Sequence, residues 1–97
     1  MASKRVVKKH IEQLIGEVVS DCLNYIFIHG NKNSEVISEI IDDMIVLRED
    51  LIMRVNHIDG KENPKLVKAH FNKLYNDLLA RTNEAYEKLS QMIQQNR

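Results

Sequence analysis

Residues that interrupt or cross-link a chain are scarce in this sequence. It contains one proline and three glycines, the two residue types that most strongly disfavour helix interiors. Long helices can therefore run with little interruption. The only cysteine, Cys22, excludes a disulfide bond within the chain. We expect Cys22 to be a small buried residue of a helix, because free cysteine behaves as a small apolar side chain.

An excess of charge and long apolar runs are also missing. The 14 Lys and Arg residues balance the 14 Asp and Glu residues, so no overall field attracts the chain to nucleic acid or to a membrane. No stretch approaches the roughly 20 apolar residues of a membrane span. The basic N-terminus leads into an amphipathic segment and not into a secretory signal. We therefore expect a cytoplasmic protein that makes no contact with membranes.

What the sequence does contain is helical periodicity in three segments. Apolar residues in the middle segment recur at spacings of three and four, which is typical of a helix that packs against other helices. They are Ile37, Ile40, Met44, Leu47, Leu51, Val55 and Ile58. We predict helices over about residues 3–28, 34–58 and 64–95. Because short loops join antiparallel neighbours, the sequence predicts an all-α, antiparallel up-down-up three-helix bundle, with residues 1–97 as a single domain.

Cap residues mark the ends of these predicted helices. Gly30 suits a left-handed C-terminal cap of the first helix, and Asn33 or Ser34 suits the N-cap of the second. Asn63 followed by Pro64 predicts the start of the third helix, because asparagine caps helices and proline is favoured at the first helical position.

The middle helix has more apolar surface than one neighbouring helix can cover. A second row, Ile41, Ile45 and Ile52, widens its apolar arc to about 180°, whereas a surface helix needs roughly 100°. The end of the first helix, residues 25–28, is apolar on every side. We interpret this surplus as a contact surface for a second copy, in a homodimer, or for a helical partner protein. The predicted interface residues are Tyr25, Phe27, Val46 and Met53, with Ile45 and Ile52 at the edge.

Charge is distributed unevenly along the chain. The middle helix has six acidic and two basic side chains, whereas the first helix opens with a basic cluster, Lys4, Arg5, Lys8 and Lys9. An alternative function is therefore a nucleic-acid-associated protein whose N-terminal cations contact phosphates. A recognisable helix-turn-helix and aromatic residues placed for base stacking are both missing, which disfavours this alternative.

The histidines suggest a further alternative, a metal-binding bundle. In an up-down-up bundle His10, His57 and His70 lie towards one end, near Asp59 and Glu62. However, the chain has neither the Glu-x-x-His pair of di-iron bundles nor a His-x3-His pair. The simpler interpretation has His57 at a helix C-terminus and the other two histidines beside the core. We therefore predict no metal and no cofactor.

Motifs for catalysis are not found in the sequence either. It has no phosphate-binding glycine loop and no Gly-x-Ser-x-Gly, and its serines have no recognisable base partner. We predict that the protein is not an enzyme. It is expected to work as a scaffold, an adaptor or a self-associating module through contacts with other proteins.

Overall fold

A computed structural model describes residues 3–58 and 60–95, which form three α-helices. They are α1 (Lys4–His29), α2 (Ser34–Asn56) and α3 (Pro64–Gln95), and every pair of helices is in contact. The described residues contain no strand. The molecule is elongated, measuring 53 × 18 × 18 Å, since a helix of the length of α3 spans about 48 Å at 1.5 Å per residue. The predicted all-α, three-helix fold is confirmed.

The helix boundaries agree with the predicted ones to within two residues. Ser3 is the N-cap of α1, and its Oγ accepts a hydrogen bond from the backbone N–H of Val6 at 3.3 Å. Helix α2 ends at Asn56 and not at Ile58, because His57 leaves the helical conformation with φ −125° and ψ 76°. The His57 N–H still bonds to the Met53 carbonyl at 3.0 Å, which closes the last turn.

The helix caps in the structure agree in part with those predicted from the sequence. Asn63 accepts hydrogen bonds at Oδ1 from the N–H groups of Lys65 and Leu66, as expected for the N-cap of α3. Gly30 has a positive φ of 65°, but its ψ of −133° lies outside the predicted left-handed helical region, and its N–H bonds to the Ile26 carbonyl at 2.7 Å. Asn33 precedes α2 but makes no capping hydrogen bond with its side chain. Its Nδ2 donates to the hydroxyl of Tyr25 at 2.9 Å, which ties the first loop to the core.

A continuous core runs along the bundle axis. All six residues that the periodicity assigns to the buried side within α2 are buried, from Ile37 to Val55. Helix α1 contributes Val7, Ile11, Ile15, Val18, Cys22 and Tyr25, and α3 contributes Leu74, Leu78, Ala85, Leu89 and Met92. Burying a residue of the size of leucine or isoleucine stabilises a fold by about 1.5–3 kcal/mol. This core therefore holds the three helices together.

Ion pairs on the surface connect neighbouring helices. Arg54 bonds to Asp77 at 2.9 Å, and Lys88 lies 3.7 Å from Asp43, so both pairs join α2 to α3. Glu12 and Arg48 join α1 to α2. Exposed pairs of this kind contribute little stability each. They are nevertheless consistent with the antiparallel register of α2 against both of its neighbours.

Candidate interaction surfaces

The outer side of the α1–α2 pair carries a strip of apolar side chains. At 100° per residue, seven apolar side chains of the two helices fall on this side, and we call it the α1/α2 face. They are Val19, Leu23, Ile26 and Phe27 of α1, and Ile41, Ile45 and Ile52 of α2. Phe27 is 91% exposed, Leu23 is 56% exposed and Ile45 is 50% exposed. Large apolar side chains therefore meet solvent along both helices.

Charged and small residues surround this apolar strip. The Glu12–Arg48 ion pair crosses it and places Glu12 of α1 level with Arg48 of α2. Lys9 lies on the outer edge of α1, and Glu49 lies on the outer edge of α2. Gly16 is on the same face, and a Cβ atom added there would meet no other atom within 4 Å. The backbone of α1 is thus open to close approach at this point.

The structure distributes the predicted interface residues over different surfaces. Phe27, Ile45 and Ile52 share the α1/α2 face. Val46 and Met53 are 64% and 56% exposed, but their helical positions place them on the opposite side of α2, towards α3. Those two residues therefore belong to a separate surface, and the interface assignment of these five stays a prediction.

Tyr25 requires a correction, because it lies in the core and not on an exposed surface. It is only 4% exposed, and its ring stacks against that of His29 with centroids 4.5 Å apart. Its hydroxyl accepts the hydrogen bond from Asn33. The amphipathic period of α1 continues into its last turns, so Tyr25 falls on the inward side while Phe27 and Ile28 stay outside.

Sequence reasoning missed Leu23 as an exposed apolar residue, and it included Ile26 and Ile28 only within the apolar stretch 25–28, not among the predicted interface residues. The signal was the occurrence of adjacent apolar pairs along the first helix, every four residues. In the pairs from Val6-Val7 to Cys22-Leu23 one member is buried and the other is half-buried or exposed, whereas both members of the last pair, Ile26-Phe27, are exposed. Only the packed structure shows which neighbours each outer member faces.

A second apolar groove, which we call the α1/α3 groove, lies between the C-terminal halves of α1 and α3. Its cavity volume is about 590 Å³, and it is lined by Asp21, Asn24, Tyr25, Ile28, His29, Tyr86, Leu89, Ser90 and Ile93. Burial raises the pKa of Tyr86, and the carboxylates of Asp21 and Glu17 raise it further. Two negative charges therefore lie beside an apolar groove of the size that binds ligands.

The histidines are held by separate partners. His10 Nδ1 and the Tyr75 hydroxyl form a hydrogen bond of 2.7 Å, and His70 Nε2 donates to the Arg54 carbonyl at 2.7 Å. His57 and His70 line a basic groove with Met53, Arg54 and Lys73. Within residues 3–58 and 60–95, no three His, Cys, Asp or Glu side chains are grouped to hold a metal ion. The predicted neighbour Asp59 lies outside the described residues.

The basic cluster at the start of α1 is largely open to solvent. Lys4, Arg5 and Lys9 are exposed and Lys8 is half-buried. None of the four forms an ion pair with another described residue. The structure therefore does not pair this cluster with the acidic side of α2 in the same chain.

The buried thiol of Cys22 is poorly suited to nucleophilic chemistry. It has no exposed surface, and burial together with the charge of Asp21 raises its pKa. Reactive cysteines have a lowered pKa and some access to solvent.

Of the three described helices, none combines the length and hydropathy required to cross a lipid bilayer.

The fold and surfaces define the chain as a small all-α, three-helix protein with exposed apolar surfaces. No family model, no curated protein and no solved structure matches it. Function must therefore be inferred from what the surfaces of the bundle can bind.

Proposed function

We propose that this protein is a non-catalytic helical module that acts through protein–protein contacts, first of all by pairing with a second copy through the α1/α2 face. The observation that carries the proposal is the exposure of Leu23, Phe27 and Ile45 on one face formed by two packed helices. Single exposed apolar residues are normal, whereas larger apolar patches mark interaction sites. The predicted interface residues Phe27, Ile45 and Ile52 belong to this face.

Charge complementarity favours a second copy as the occupant. In a dimer whose two-fold axis runs parallel to the helices, α1 of each copy would lie against α2 of the other copy. Both of these helix–helix contacts would be antiparallel. Because Glu12 pairs with Arg48, Lys9 and Glu49 lie within about 3 Å of the same axial level at 1.5 Å per residue. Each Lys9 would then face Glu49 of the second copy at the outer edge.

The exposed Gly16 is consistent with the same arrangement. Glycine inside a helix costs about 1 kcal/mol relative to alanine, and nothing within the chain packs against this position. A helix of a second copy can approach α1 closely at a residue without a Cβ atom. Close approach would bring the apolar side chains that follow Gly16 on this face, Val19 and Leu23, towards the second copy.

Charge reversal tests the pairing directly. We expect the wild-type protein to be a dimer when its molar mass is measured by light scattering over a range of concentrations. Lys9→Glu and Glu49→Lys should each weaken the dimer, since each single change places like charges opposite each other in two symmetric contacts. The double variant Lys9→Glu/Glu49→Lys should restore it.

The apolar part of the face has a matched control. Ile45→Lys should abolish the dimer, whereas Val46→Lys, next to it in the sequence but on the other side of α2, should not. Circular dichroism checks that both variants remain helical. A wild-type mass that is monomeric at every concentration, or an equal effect of the two variants, contradicts self-association through this face.

The exposed and unpaired cations at the start of α1 favour one rival function, binding to nucleic acid. This alternative predicts a band shift with generic DNA or RNA that weakens steeply with salt, because each phosphate contact adds about 0.9 to the salt slope. Neutralising Lys4, Arg5, Lys8 and Lys9 together should then abolish the shift. A shift that survives these changes excludes this cluster as the contact.

A further inference from the structure

Two parallel rows of side chains in matching register border the α1/α3 groove and continue from it towards His10 and Tyr75. His10 and Tyr75, which are 65 residues apart, are joined by a hydrogen bond. The same separation brings Leu14 level with Leu79, because α1 and α3 run in the same direction in an up-down-up bundle. Higher in the bundle, Asp21 is level with Tyr86 and Ile28 is level with Ile93.

Each row repeats every seven residues, which is close to two helical turns. The α3 row, Leu79, Tyr86 and Ile93, is apolar or aromatic throughout. The α1 row has a carboxylate, Asp21, between two apolar residues. Both rows extend over about 21 Å at 1.5 Å per residue, which is the length of roughly four turns of a helix.

The exposed fractions show that the groove is uncovered. Ile28 is 72% exposed, Leu79 is 48% exposed and Ile93 is 47% exposed. Polar residues without charge, such as Asn83 and Ser90, follow the outer edge of α3. An amphipathic helix laid between two parallel rows of this kind would bury their apolar side chains.

The charged residues beside the groove indicate which kind of helix it would bind. Glu17 and Asp21 lie on its α1 edge, and neither forms an ion pair with another described residue. Asp21 lines the groove together with Tyr86, and the charges of Asp21 and Glu17 both raise the pKa of that tyrosine. A neutral or acidic helix would leave these carboxylates uncompensated, whereas lysine or arginine side chains would pair with them.

The chain itself does not supply such a helix from its described residues. Its basic segment, at the start of α1, has its apolar residues Val7 and Ile11 in the core. We infer that the α1/α3 groove binds a basic amphipathic helix of a different protein, with its apolar side on Leu79 and Ile93 and its cations beside Glu17 and Asp21. This site lies on a different surface from the α1/α2 face, so it does not depend on self-association.

Designed peptides provide the probe. A labelled peptide of about 18 residues, with leucines along one side and lysines at the flanking positions, is titrated with the full-length protein and followed by fluorescence anisotropy. The matched peptide has glutamates in place of the lysines. We expect the lysine peptide to bind and the glutamate peptide to bind at least about tenfold more weakly, because like charges repel across an interface.

Variants of the protein locate the binding. Glu17→Gln and Asp21→Asn should each weaken binding of the lysine peptide by up to about fivefold, the effect of a charge pair near the surface. Ile93→Asn should weaken it further by removing apolar contact. The control Asp42→Asn changes an acidic residue of α2 outside the groove and should leave binding unchanged. All variants are compared for helicity and thermal stability.

Three outcomes overturn the inference. They are equal binding of the two peptides, groove variants that bind like the Asp42→Asn control, and loss of peptide binding in Ile45→Lys on the α1/α2 face but not in the groove variants. A further measurement tests whether a second copy of this protein occupies the groove. If Ile93→Asn converts a dimer of the protein alone into a monomer, a second copy fills the groove and the inference is wrong.

Discussion

The α1/α2 face and the surface between α2 and α3 differ although α2 contributes to both. Between α2 and α3, cross-helix ion pairs such as Arg54–Asp77 and Lys88–Asp43 dominate, and the exposed apolar residues Val46 and Met53 stand among charges. Between α1 and α2 a single ion pair joins the helices across the apolar strip. The surface between α2 and α3 is therefore mainly charged, whereas the α1/α2 face is mainly apolar.

The difference shows that the amount of apolar surface on a helix does not identify its binding side. The apolar arc of α2 is wider than the core requires. Its surplus is concentrated on the side towards α1, where Leu23 and Phe27 extend it. Towards α3 the corresponding positions are charged and form pairs across the helix boundary. Neighbouring helices thus determine whether an exposed apolar residue is isolated or part of a patch.

The largest expected effect separates the core from the α1/α2 face. Leu51→Ala should lower the free energy of unfolding by about 2–5 kcal/mol, because it leaves a cavity at a residue with no exposed surface. Ile45→Ala, six residues away on the exposed face, should cost the monomer under about 1 kcal/mol. Urea unfolding at low protein concentration measures both. Similar losses for the two variants would mean that Ile45 belongs to the core of the monomer.

The next effect concerns the two outer surfaces of α2 and the dimer. The unfolding temperature of the wild-type protein should rise with protein concentration, because only the folded state pairs. Leu23→Glu should remove this dependence, corresponding to at least about a tenfold loss of affinity. Met53→Glu, on the surface towards α3, should retain it. The contrast fails if both variants, or neither, lose the dependence on concentration.

A smaller effect is expected at the ion pairs between α2 and α3. Asp77→Asn removes the α3 partner of Arg54, which keeps Asp50 as a second partner within α2, and should cost up to about 1 kcal/mol at low salt. Salt should reduce the difference between variant and wild type, since surface charges are screened. A loss of several kcal/mol that is insensitive to salt would show that this pair, and not the apolar core, holds α3 in place.

The smallest effect is a dependence of stability on pH at the buried side of α1. Burial raises the pKa of Cys22 above its ordinary value of 9.0, so the unfolded state ionises first as the pH rises. The free energy of unfolding should therefore fall above about pH 9, with no contribution from Cys22 below it.

The variant Cys22→Ala isolates this contribution. It is expected to unfold more easily than the wild type at pH 7, because it loses a buried sulfur. Above about pH 9, however, its free energy of unfolding should fall less steeply with pH than that of the wild type. Thermal unfolding across this range compares the slopes. Equal slopes for variant and wild type would exclude the thiol, and the raised pKa values of Tyr75 and Tyr86 would then account for the decline.

Much of the fold follows from local pattern. The period of α2 predicts its buried side within the helix, and Asn63–Pro64 predicts where α3 begins, since both depend on interactions within a few residues. The sequence predicts the candidate surfaces less completely than the fold. Phe27, Ile45 and Ile52 are predicted as exposed apolar residues, but Tyr25 is assigned to the wrong side, and the groove beside Tyr86 is not anticipated. Those features depend on which helix lies next to which residue.

The sequence by itself determined that this protein forms three helices, where they begin and end to within two residues, and which residues of α2 are buried. Helical period and capping are local properties, so a single chain segment contains the necessary information. Only the tertiary structure decided that α1 and α3 align with an offset of 65 residues, and that Leu23 and Ile45 lie on one face. Relative helix position depends on packing between distant segments, which no local pattern records.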